Sequence, residues 1–158
     1  QRSLFAHIKA SSLPGPCPGG VGLTTALGIL PGGWVVVGSL PTKDGTSATA
    51  KAGCLLVINN KGQVAETIAG HGINGPWDMA TVSAGSVAAL FVSNVLNGTV
   101  AAGGSQVNGG TVLRLVITTA GTPQLLNVTR IGRLGNVLVG TNGSTARGTT
   151  PAVLGHNT

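Results

Sequence analysis

The chain has 158 residues, 27 of them Gly and 8 Pro; 42% are hydrophobic, 8% charged and 3% aromatic, with no Tyr. That length makes one domain with a real core, and recurrent Val, Ile, Leu and Thr with so few charges argue against a disordered chain. Nine Lys and Arg against three acids set the net charge at +6, yet the basic residues stand singly and few aromatics accompany them. A nucleic-acid partner is therefore not expected, because nothing forms a run that neutralises several phosphates or a platform that stacks bases.

In chain order, residues 1–19 read as an N-terminal extension carrying Cys17. Residues 20–75 form a first unit of strand, turn, strand, polar loop, strand, hairpin, strand. Its marks are the apolar run Val35-Val36-Val37 after the turn Pro31-Gly32-Gly33, then Cys54-Leu55-Leu56-Val57-Ile58, then the turn Asn60-Lys61-Gly62. Residues 76–131 repeat this order. At an offset of 55, Leu90-Phe91-Val92 lies under Val35-Val36-Val37 and residues 78–81 under 23–26; with two extra residues, 110–115 lie under 53–58. The apolar runs are expected to be strands buried on both faces between neighbouring sheets. Arg114 inside its strand marks a half-exposed one. Residues 44–51 and 101–108 are small-residue loops inserted at equivalent places, which predicts a common face for both. Residues 132–158 match neither unit and read as an irregular Gly- and Thr-rich tail. No long helix is expected, since Gly or Pro interrupts every candidate window, and no apolar run reaches the 18 or so residues of a membrane span.

Four short antiparallel strands per unit is the layout of a propeller blade. The second unit, with Gly75-Pro76-Trp77-Asp78, the polar hook Ser93-Asn94 to Asn97 and Val100, and Gly110-Thr111-Val112-Leu113, resembles an NHL repeat of bacterial exported β-propellers. The resemblance covers about residues 20–131 and is weaker in the first unit, where Gly38-Ser39-Leu40-Pro41 lacks the hook's Asn. It implies an all-β fold of two four-stranded antiparallel blades, an incomplete propeller, with a secreted or periplasmic location. A surface made polar by Asn, Ser, Thr and Gly rather than by charge points the same way.

Chemistry is sparse. His7, His71 and His156 stand singly, no Ser sits in a G-x-S-x-G elbow, and the Gly pairs lack a phosphate-loop context. Gly70-His71 and Trp77-Asp78 lie too close together for the pairs of a WD40 repeat. Cys17 and Cys54 lack zinc-ligand spacing; they are either a disulfide or two unlinked thiols, with Cys54 buried in its strand. No cofactor or metal is expected. Trp77 reads as a blade-packing ring and Asp78 as a cap on the adjacent turn, with a ligand contact as the competing role for each. The expected function is a non-enzymatic binding or interaction scaffold. Its ligand, a small molecule or a protein, would meet loops around His71, Trp77, Asp78, Asn94 and Asn97. The alternatives are a metal-dependent propeller lyase or lactonase, and a secreted β-structural protein that self-associates through exposed blade faces and strand edges.

Overall fold

A computed structural model describes residues 2–95, 97–105, 107 and 109–134. Eight strands account for its regular structure: β1 (Leu23–Leu30), β2 (Trp34–Leu40), β3 (Cys54–Ile58), β4 (Val64–Ile68), β5 (Pro76–Ala84), β6 (Val87–Asn94), β7 (Gly110–Thr118) and β8 (Leu125–Leu134). They form two four-stranded antiparallel sheets in sequential order, β1 to β4 and β5 to β8. The fold is all-β, two four-stranded antiparallel sheets laid out like the blades of an incomplete propeller. The described helical pieces are three single 3₁₀ turns, and among the described residues no helix is long and apolar enough to cross a membrane. β8 runs three residues past the second unit as read from the sequence; of the tail, residues 135–158 lie outside the described residues.

Turn chemistry sets the sheet order. Gly32 and Gly33 take positive φ between β1 and β2, and Gly85 does so in the two-residue connection of β5 to β6. Between β3 and β4, the Asn59 side-chain oxygen accepts the amides of Lys61 and Gln63, closing a turn completed by Gly62 at φ 77°.

The two sheets pack face to face. Val36, Leu55 and Val57 of the first meet Leu90, Val92, Leu113, Leu115 and Ile117 of the second in one buried cluster, with Met79 and Ile73 between. Side-chain alternation supplies both faces. The innermost strands, β1 and β5, are stitched by hydrogen bonds from the Thr25 hydroxyl to the Pro76 carbonyl and from the Thr81 hydroxyl to the Ile29 carbonyl. At Gly28 a Cβ would lie 2.6 Å from the Thr81 methyl and 2.7 Å from the Met79 sulfur, so the close approach of the sheets requires glycine there.

Three expectations need correction. First, β1 does not align with β5 at an offset of 55: Val36 and Phe91 are 55 apart, but their ladder partners Gly28 and Ala80 are 52 apart. The β5–β6 hairpin is longer than the β1–β2 hairpin, and the difference shifts the register of the first strand. Second, β2 is buried on both faces, but only one neighbour is a sheet. Residues 5–22 form a strap over the outward face of the first sheet. The Phe5 carbonyl sits against Gly62, Gly15 against Thr67, and Ala6, His7 and Ile8 face Val37 and Leu56. Third, the first sheet is therefore not bare: Val37, Leu56 and Ile58 are buried on its outward side. Cys17 and Cys54 form a disulfide, with their Cα atoms 5.4 Å apart, that fastens the strap to β3.

The second sheet has no such cover among the described residues. Its outward rows carry Val82, Ala89 and Val116, then Phe91 beside Arg114; Val82 is 60% exposed. The sheet registers make Phe91, Val112 and Arg114 the counterparts of Val36, Leu55 and Val57, the residues through which the first sheet packs on the second.

Candidate functional site

β1 and β5 begin, and β2 and β6 end, at one end of the sheet pair. The longest connections, 41–53 and 95–109, therefore gather there with the 69–75 crossover. The two inserted loops share that end, as their equivalent positions imply, and they touch: the Ser47 hydroxyl donates to the Gly104 carbonyl and the Thr99 hydroxyl donates to the Ser47 carbonyl, each at 3.0 Å. Ser47 and Thr99 are buried, so this exchange satisfies their hydroxyls while it ties the two loops together.

The crossover is clamped from both sheets. Asn94, fully buried, accepts the amides of Asn74 (3.1 Å) and Gly75 (3.3 Å) through its side-chain oxygen. The Val95 amide donates to the Gly75 carbonyl, and the Gly53 amide donates to the Asn74 carbonyl. A Cβ at Gly75 would lie 2.1 Å from the Val95 oxygen, which is why glycine precedes Pro76. These bonds fix the backbone of Asn74 at the edge of the space between the loops.

That space is a half-open cavity of about 170 Å³, lined by residues including Lys51, Asn74, Val95 and Asn97. The Asn97 amide nitrogen donates to the Gly109 carbonyl at 2.6 Å, which identifies the other amide atom as oxygen. The side-chain oxygens of both Asn74 and Asn97 are buried without a protein partner. Lys51 is exposed and has no carboxylate within ion-pair distance among the described residues.

The residues singled out in the sequence divide by place. Asn97 lines the cavity; the other four do not. His71 is exposed and takes a left-handed φ of 53° between Gly70 and Gly72, themselves at positive φ, in the tight turn closed by the Gly70–Ile73 bridge. Trp77 is half-buried against Leu40 and Val95. The Asp78 carboxylate accepts the Met79 amide at 2.8 Å, a cap on the adjacent backbone. Asn94 spends its oxygen on the crossover. Lys51 and Asn74 escaped sequence reasoning, although Lys51 closes the first inserted loop and Asn74 precedes the Gly-Pro turn.

Asp44, on the first loop, is the one described group with a clear pKa displacement. Hydroxyl donors from Thr49 and Thr46, with the Thr46 amide, hold its carboxyl down at about 2. Among the described residues no three His, Cys, Asp or Glu side chains gather as a metal would require. Comparison with protein-family models, with curated proteins and with solved structures finds no match.

Proposed function

We propose that this chain is a non-enzymatic binding scaffold, built like part of an NHL-type β-propeller and working in a secreted or periplasmic setting, with its binding end at the gathered loops. The observation that carries this reading is the cavity between the inserted loops, lined by residues including Lys51, Asn74 and Asn97 and framed by backbone bonds from both sheets. The Cys17–Cys54 bridge supports the oxidising compartment. A screen of small polar compounds against ¹⁵N-labelled protein tests the proposal. Amides of residues 50–52, 74–75 and 97–98 should shift together, and shifts scattered over the surface with none at these positions would overturn it.

A second reading, self-association, rests on the outward face of the second sheet, where Val82 is exposed and Phe91 and Val116 are half-buried among the described residues. Sedimentation velocity tests it: the native protein should show species larger than the monomer, and Val82→Lys should lower their fraction.

A further inference from the structure

We infer that the outward face of the second sheet is the seat for the strap-side face of the first sheet in another copy of this chain, and that residues 5–16 compete with that copy from within. This rests on the self-association reading and names both the partner face and what restrains the contact. The sheet registers carry it. Val36 pairs with Val57 in the first sheet as Phe91 pairs with Arg114 in the second. On that alignment Val37, Leu56 and Ile58, on the strap side, are the counterparts of Val92, Leu113 and Leu115, through which the second sheet packs on the first. On the opposite sides, Leu30 and Val36 of the shared core answer to Val82 and Phe91 of the outward face. Both halves of the sheet-on-sheet contact inside the chain therefore recur on its two outward faces, and one copy stacked on the next would repeat that contact.

The strap occupies this place loosely. None of residues 5–22 is buried, although Val37, Leu56 and Ile58 beneath them are. Among the described residues, 5–16 make no hydrogen bond to either sheet. The bonds that tether the strap lie past Cys17, from the Gly19 amide to the Ala52 carbonyl and from the Gly22 amide to the Ser39 hydroxyl. A half-open cavity of about 210 Å³ remains between Ala6, His7 and Ile8 and the sheet residues Val37 and Leu56. On the same face Leu27 and Ile29 stay exposed, where a second sheet would cover them. Charge selects the pairing of unlike faces. Each outward face of the second sheet carries Arg114, so two of them brought together oppose like charges. The strands of the first sheet hold one charged residue, Glu66, and it pairs with Val57 on the side away from the strap. A contact between unlike faces does not close as a two-fold pair does, so each added copy presents another seat.

The test is sedimentation velocity of the full chain with the strap loosened. Ile8→Ser weakens its seat with the disulfide intact, and Cys17→Ser with Cys54→Ser removes its fastening; the first decides the matter where the second fails to fold. Loosening raises the fraction of chains with a vacant strap-side face, so association should set in at about tenfold lower concentration than in the native protein and run beyond the dimer. In the Ile8→Ser background, Leu27→Lys spoils one face and Val82→Lys the other, both at exposed positions. Each variant alone should be monomeric, and an equimolar mixture should form a dimer and nothing larger. Association unchanged by loosening the strap, a dimer from Leu27→Lys alone, or a mixture no more associated than its components overturns the pairing of unlike faces. A native protein that is wholly monomeric, and stays so with the strap loosened, overturns the self-association reading with it.

Discussion

The two sheets have the same strand order and nearly the same sequence pattern, yet their outward faces end differently. On the first, the strap buries Val37, Leu56 and Ile58; on the second, Val82 and Phe91 have no cover among the described residues. An apolar sheet face is thus a demand, which a repeat meets with whatever lies next to it: another sheet, or an irregular segment fastened in place. The strap meets it incompletely. Leu27 and Ile29, on the innermost strand of the first sheet, remain 56% and 66% exposed, while Met79 and Thr81, their counterparts in the second, are covered by β1.

Substitutions break or sharpen this contrast. The largest expected effect is on the fastening. Cys17→Ser with Cys54→Ser opens a link spanning 37 positions, and should cost about 4 kcal/mol in urea unfolding by the loop-entropy account. Leu56→Ala, beneath the strap, should cost about 3 kcal/mol by the same measurement. Gly28→Val, between the sheets, pushes a side chain into Thr81 and Met79, and should cost about 2 kcal/mol through overpacking. By contrast, Val82→Lys on the open face should change monomer stability by no more than about 0.5 kcal/mol; a loss as large as that of Leu56→Ala would show that this face is covered after all.

The smallest effect compares the two inserted loops. Asp44 is bound more tightly as a carboxylate than its ordinary pKa of 3.8 implies, with the folded value lowered to about 2. Its contribution to the first loop is therefore fully present above the ordinary value and is lost as pH falls through about 2. The Thr46 amide resonance should follow that titration, amides of the second loop should not, and Asp44→Asn should abolish the response.

The strands and their pairing were legible because apolar runs and Gly-bearing turns are local signals: Val35-Val36-Val37 and Leu90-Phe91-Val92 occupy equivalent central strands. The register of β1 was not, because it depends on hairpin length, which an ungapped offset does not see. The strap was not, because residues 5–22 have no period; their role comes from contact with β3 and the turn at Gly62. In the site, Asn97 was legible from the polar hook. Asn74 was not, since what places it is a backbone clamp assembled from Gly53 and from Asn94 with Val95, on two separate stretches of chain.

The face through which the first sheet meets the second is matched in the second by the open face, so the stacking rule is directional. A pile of such sheets has a head and a tail. Among the described residues the N-terminal strap blunts the head and leaves the tail open, so a further sheet would have its seat at the tail.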